Sequence, residues 1–328
     1  MHRLITIVLA LAVLYGGYWL IASRGVESTV EAELARLQQA GLADVADVSL
    51  TGFPSRFDLT FDAPAMLDRS GLYGWRAPFL QVFALSYRPN HIIAVWPNEQ
   101  EVMLAGLPLT LTSTDMRASA KVAGTDAALD RVVFVAKSIG LEPPDATGLA
   151  IEEARLATQR LDAEGARHEL GLALLRLSPD PALRAALDPS GALPDTLDWL
   201  RLDADLSFDK PLDRFAAGSG PPRLRAIDLR ELSLRWGDLS VEGRGPVEVD
   251  AAGRLVGRID LVVKEWRHLV RFAAIAGMVR AEIAPTFEAA LEQIDEADGD
   301  PEVLRVPLTW KNGRTSLGPI PLGPAPRL

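Results

Sequence analysis

Residues 202–209 read Leu-Asp-Ala-Asp-Leu-Ser-Phe-Asp, with apolar and polar side chains alternating without a break. A period of two puts every apolar group on one face of an extended strand, whereas a helix would scatter the same groups around its axis. The rhythm recurs along most of the chain. Phe57, Leu59 and Phe61 alternate with Asp58, Thr60 and Asp62, and Phe79, Phe83, Leu85 and Tyr87 share one parity. Further runs lie at residues 92–96, 102–104, 107–112, 116–122 and 132–135, and at Leu170, Leu172 and Leu174. Ile227 and Leu229 share a parity, but Leu232, Leu234 and Trp236 take the opposite one, which predicts a β-bulge at Arg230-Glu231. Leu239, Val241, Val247 and Val249 lead to a turn at Ala252-Gly253, and Ile259, Leu261 and Val263 follow. Pro, Gly, Asn and Asp punctuate these runs, so the strands pair antiparallel as a meander. The expected class is α+β and β-dominated, with one or more large, curved antiparallel sheets.

Four stretches break the rhythm. Residues 4–22, LITIVLALAVLYGGYWLIA, carry Thr6 as their one conventional polar residue besides the tyrosines. As a helix they span about 28 Å, the hydrocarbon thickness of a bilayer. Tyr15, Tyr18 and Trp19 gather at the distal end, where amphipathic rings favour the membrane–water boundary. Signal cleavage requires small residues at −1 and −3; Leu20 before Ala22 and Ile21 before Ser23 deny that, so an uncleaved anchor is expected. Arg3 precedes the span and Arg24 follows it, an orientation with the N-terminus inside and the body in the periplasm.

Val30, Leu34, Leu37 and Ala40 form a helical stripe that Ser28 could cap and Gly41 could stop. Asp180-Pro181 opens PALRAALD as a helix and Pro194-Asp195 opens PDTLDWL as another. In residues 265–295, Phe272, Ile275, Val279, Ile283, Phe287, Leu291 and Ile294 recur three or four apart, with Pro285 as a kink. Asn312-Gly313 then suits the turn of a terminal hairpin. The expected organisation is an anchor at 1–24, a linker helix at 25–41, a first β-rich half at 42–178, a helical connection at 179–200 and a second β-rich half at 201–328.

The 328 residues include no cysteine, which excludes disulfides, thiolate nucleophiles and Cys-ligated metals. A net charge of −10 argues against a nucleic-acid partner. No nucleophile elbow or phosphate loop is present, and no catalytic residue, cofactor or metal is predicted. His91 sits at a strand end. His168-Glu169 begins like a zincin motif, but Leu172 stands where the second histidine would be. Asp203, Asp205 and Asp209 read as the solvated face of a strand rather than a cation site. Lys264, Arg267, His268 and Arg271 form a basic cluster that could meet lipid phosphate or the membrane surface. Trp75, Phe83, Trp96, Trp236 and Phe272 are candidates to line a groove for a hydrophobic ligand.

At Gly52-Phe53-Pro54-Ser55-Arg56-Phe57-Asp58-Leu59, at FLQVFALSYRPNHIIAVWP (79–97) and at the closing LGPIPLGPAPRL, the chain resembles the bacterial family DUF2125 over nearly its whole length. That resemblance implies a membrane-anchored envelope protein without an assigned reaction. The strand rhythm of residues 237–263 is also similar in architecture to AsmA-type envelope proteins. The leading expectation is a non-enzymatic protein that binds lipid, or another hydrophobic envelope component, in a β-sheet groove. The rivals are an assembly factor binding envelope proteins by its strand edges or Pro-rich tail, and an envelope hydrolase using His91 or His168.

Overall fold

The computed structural model describes residues 2–144, 146–189, 191–214, 220–268, 270, 288–292 and 303–328. It divides into two compact units, Met1–Val122 with Phe134–Ala146, and Ala123–Val133 with Thr147–Leu328. Both are strand-dominated, and the pairings described below are all antiparallel.

The first unit begins with α1 (His2–Gln39), one continuous helix in which the expected anchor and linker helix are joined. It carries the one described helix long and apolar enough to cross a membrane. Ser28 does not cap anything: it lies inside α1 and its Oγ donates to the Gly25 carbonyl at 3.1 Å. Trp19 and Ser23 are buried and Val26, Val30, Leu34 and Leu37 are half-buried, a single stripe along the helix.

The strands of this unit are β1 (Ala43–Asp44), β2 (Asp47–Thr51), β3 (Arg56–Asp62), β4 (Ala65–Leu67), β5 (Gly74–Arg76), β6 (Phe79–Leu85), β7 (Arg88–Val95), β8 (Glu99–Leu104), β9 (Leu107–Thr112), β10 (Asp115–Ala123) and the later part of β11 (Ala128–Glu142). They form two ladders, β2–β3–β6–β7–β10 and β1–β4–β5–β8–β9–β11. Each ladder is one half of a meander of long strands interrupted at a common level. Bonds from Ala46 N to Asp62 O, Ala63 N to Pro78 O, Ala77 N to Pro64 O, Ser113 N to Asn98 O and Thr114 N to Lys137 O mark that line. Pro64, Pro78 and Pro97 stand beside it, and Ala63 and Ser138 adopt φ of 46° and 48°. Prolines withhold ladder donors and positive φ turns the strand, so the sheet breaks where the residues cannot continue it.

The second unit runs through β12 (Leu149–Arg160), β13 (Arg167–Ser178), α2 (Pro181–Leu187), β14 (Leu197–Phe208), β15 (Leu224–Trp236), β16 (Leu239–Val249), β17 (Leu255–Lys264), β18 (Val303–Lys311), β19 (Arg314–Leu317) and β20 (Ile320–Pro324), each strand pairing with the next. The register slips between Leu229 and Leu232, the predicted bulge. Asp180 caps α2, its Oδ1 accepting from Leu183 N at 2.8 Å, with Pro181 in the first turn. Residues 194–200 correct the sequence reading: Leu197 begins β14 opposite Leu177, and no helix forms there. The helical opening of PDTLDWL loses to pairing and to burial of Leu197 against Trp236 and Leu239. Asn312 and Gly313 turn with φ of 54° and 72°, as a type I′ hairpin needs.

The core of this unit gathers Leu193, Leu197, Trp236, Leu239, Val241, Val263, Leu304 and Val306 with Trp266, Val270 and Leu291. The last three come from the excursion between β17 and β18, whose ends, Lys264 and Val303, are register partners. Of the helix expected over 265–295, Glu265 and Trp266 form a bend and a turn instead, and Arg267, His268, Val270 and residues 288–292 are helical; the other residues, with Arg271, Phe272 and Pro285, lie outside the described residues.

Candidate functional site

Two features of the first unit stand apart from ordinary packing. One is a socket for α1. Tyr15, Tyr18 and Trp19 lie three and four residues apart and therefore share a helix face. The Tyr18 hydroxyl donates to the Ser86 carbonyl at 2.8 Å, and Trp19 Nε1 donates to the Arg56 carbonyl at 2.7 Å. Ser86 is fully buried and its Oγ donates to the Pro54 carbonyl at 3.2 Å. A serine hydroxyl has one hydrogen, so at the 2.8 Å contact between Tyr15 OH and Ser86 Oγ the tyrosine is the donor. The Trp19 indole meets Phe53 edge-on at 5.3 Å and stacks on Phe57 at 6.0 Å. Gly16 admits the Phe53 ring, which would lie 3.4 Å from an added β-carbon. Gly52 turns at φ +102°, where a β-carbon would come within 2.8 Å of the Arg56 carbonyl oxygen.

The socket is built from the two strings 52–59 and 79–97. An aromatic hydroxyl or indole N–H in an apolar setting needs a partner, and main-chain carbonyls at the β2–β3 and β6–β7 turns supply it.

The other feature is a hollow of about 400 Å³ at the end where α1 gives way to β1. Leu42, Met66, Leu67, Trp75, Val102 and Met103 form its apolar wall; Asp44, Arg76 and Glu101 add charge. β1 and β2 run from this end to the socket, about 30 Å at 3.3 Å per residue. Trp75 Nε1 donates to Gln100 Oε1 at 2.7 Å, and the buried Gln100 amide donates to the Pro97 carbonyl at 3.2 Å. The polar end of the indole is thus satisfied away from the apolar wall. Met66, Leu67, Leu72, Tyr73, Leu104 and Leu107 are all exposed at this end of the sheet. Gly74 lets β4 close on β5, since a β-carbon there would lie 2.9 Å from Leu67 Cδ1 and 3.2 Å from the Met66 carbonyl oxygen.

Of the five groove candidates, Trp75 lines the hollow. Phe83 is half-buried in β6 opposite Ile93, and Trp96 meets Phe134 edge-on at 6.0 Å; neither is in the wall. Trp236 belongs to the second unit's core and donates Nε1 to the Pro194 carbonyl at 2.7 Å. Ser86, Met66, Leu67 and Met103 escaped the sequence reading. The run Leu72-Tyr73 inside an otherwise polar turn, DRSGLYG, is the one signal that could have drawn attention to this end.

His91 is exposed on β7, with Nε2 2.8 Å from Ser119 Oγ. His168 is buried beside Phe208 in the second unit, with Nε2 3.3 Å from the Gly165 carbonyl; burial pushes its pKa below the usual histidine value. Its neighbour Glu169 points to the opposite face of β13, as alternation requires, and meets Arg230 at 2.5 Å. Arg230 is the bulged residue. Its guanidinium also binds Asp203, and Asp205 at 2.8 Å, so these two aspartates surround a protein cation on the exposed face. Asp209 accepts from Arg223 N at 2.8 Å, and that main-chain donor holds its carboxyl below the ordinary range. In the basic cluster, Arg267 lies over the Trp266 ring at 4.6 Å and reaches Glu292 at 2.8 Å; His268 N donates to the Glu265 carbonyl, and Lys264 is exposed. The closing Pro-rich tail is drawn into the sheet, with Leu328 N donating to the Gly253 carbonyl at 2.9 Å.

No curated protein matches the chain. A family model described as an uncharacterized protein conserved in bacteria matches residues 19–326, from the socket tryptophan almost to the last residue, and the chain belongs to that family, DUF2125.

Proposed function

We propose that this protein is a single-pass anchored component of the bacterial envelope, held in the inner membrane by residues 4–22 with its body in the periplasm. It binds the alkyl chain of a lipid, or another apolar envelope component, without chemistry of its own. The hollow carries this reading. About 400 Å³ falls within the range of small-molecule sites, roughly 300–1,000 Å³. Apolar surface left in water costs about 25 cal/mol per Å², so the exposed Met66, Leu67, Leu72, Leu104 and Leu107 favour an apolar occupant. Met66 and Met103 can adapt to chains of different shape.

Retention of the anchor is supported by the socket. Cleavage after Ala22 would remove Tyr15, Tyr18 and Trp19, leaving Ser86 and the Arg56 carbonyl without these partners. Arg3 ahead of the span supports the N-inside orientation.

The test is photo-crosslinking of the full chain in vesicles with a phospholipid bearing a diazirine on its acyl chain, followed by peptide mapping. Adducts on residues 65–76 and 99–108, reduced severalfold by Leu67→Asp, are expected. Adducts confined to α1 would overturn the binding reading.

A further inference from the structure

We infer that the first unit stands on the bilayer with its β2–β3 and β6–β7 turns sunk among the lipid headgroups, Phe53 and Tyr87 foremost. This rests on the reading of residues 4–22 as a membrane span and follows from the level of the socket along α1. The apolar run ends at Ala22, yet the side chains that grip the body, Tyr15, Tyr18 and Trp19, lie three to seven residues before it. At 1.5 Å per residue that is about 5–10 Å below the end of the span. A body fastened to Tyr15 and Trp19 cannot clear a membrane whose surface lies at Ala22. The turns that hold these residues must enter the interfacial layer.

The composition of the turns fits that layer. Phe53 is 61% exposed despite its contact with Trp19, and Tyr87 on the adjacent turn is equally exposed. Large aromatics left in water beside a membrane helix are what the headgroup region accommodates. Arg56 and Arg88 are exposed beside them, on long stems that can place a cation at lipid phosphate. The nearest acid on the turn, Asp58, is bound to Arg56 at 2.7 Å. At the same level of α1, Leu20 and Ile21 are exposed as well, 51% and 74%.

The absence of cysteine makes the test direct. Phe53→Cys and Tyr87→Cys, each labelled with an environment-sensitive fluorophore, are reconstituted as full-length protein in vesicles of phosphatidylethanolamine and phosphatidylglycerol. Leu14→Cys reports on the span and Ala35→Cys on the exposed face of α1 beyond it. Lipids carrying a nitroxide at the headgroup or deep in the acyl chain then quench by depth. Labels at 53 and 87 are expected to shift to the blue and to lose more emission to the shallow quencher than to the deep one. Leu14→Cys should lose more to the deep quencher, and Ala35→Cys should be unaffected. Should Phe53→Cys loosen the socket, Tyr87→Cys reads the same level. Unquenched labels at 53 and 87 with a quenched label at 14 overturn the inference and leave the anchor standing, as does quenching at 35 equal to that at 53. An unquenched label at 14 removes the membrane span itself, and the inference falls with it.

Discussion

Tyr18 gives its hydroxyl hydrogen to the main-chain oxygen of Ser86, across 2.8 Å of space and 68 residues of chain. The same serine is the acceptor for Tyr15, so one buried residue at a strand turn receives two tyrosines from successive turns of the N-terminal helix. The helix is therefore joined to the first unit along a defined face, with Trp19 as its apolar centre.

Trp19→Ala should loosen the helix from the sheet. The indole is 8% exposed and packs on Phe53 and Phe57, and truncating such a group costs about 3–5 kcal/mol. Ser86→Ala should cost less, about 1–3 kcal/mol, because it strands the Tyr15 hydroxyl but keeps the carbonyl used by Tyr18. Thermal unfolding in detergent checks the order: a larger loss from Ser86→Ala than from Trp19→Ala would contradict it.

His168 predicts a loss of stability in acid. Its folded pKa is lowered, so below about pH 6.5 the unfolded chain takes up a proton that the buried imidazole resists. Stability is unaffected by this group above that range and falls as pH drops through it, by at most about 1.4 kcal/mol per pH unit. His168→Leu should flatten the urea-midpoint profile between pH 7 and 5; an unchanged slope would refute this role.

Arg230 should act through charge alone. Arg230→Ala leaves Glu169, Asp203 and Asp205 facing one another, but the network is open to solvent and is worth no more than about 1 kcal/mol. The difference in Tm from the parent should shrink in 1 M NaCl, where the Debye length is about 3 Å. A salt-independent difference would point to packing instead.

Trp266 is 1% exposed and packs with Val270 and Leu291 in the second unit's core. Trp266→Ala should cost about 3–5 kcal/mol, read by thermal unfolding. An unchanged Tm would contradict this place in the core.

Much of the fold was legible because its signals are local. Alternation at 57–62 and 202–209 specifies strands, the parity change after Leu229 specifies the bulge, and Asp180-Pro181 and Asn312-Gly313 specify a cap and a turn within a few residues. The apolar run at 4–22 needs no partner to be recognised. Residues 194–200 were misread because their helix-like opening is overruled by a strand partner at Leu177 and by the core around Trp236. Of the hollow only Trp75 was legible, and the socket was not. Trp19 finds the Arg56 carbonyl 37 residues away, and Leu42, Met66 and Met103 come together only when β1, β4 and β8 take their places. Sequence alone determined which segments are strands, which is the apolar helix and where the turns fall, since each depends on side chains within one or two turns of backbone. Only the tertiary structure decided what the helix grips and where the sheet leaves apolar surface uncovered, because both depend on which distant strands lie side by side.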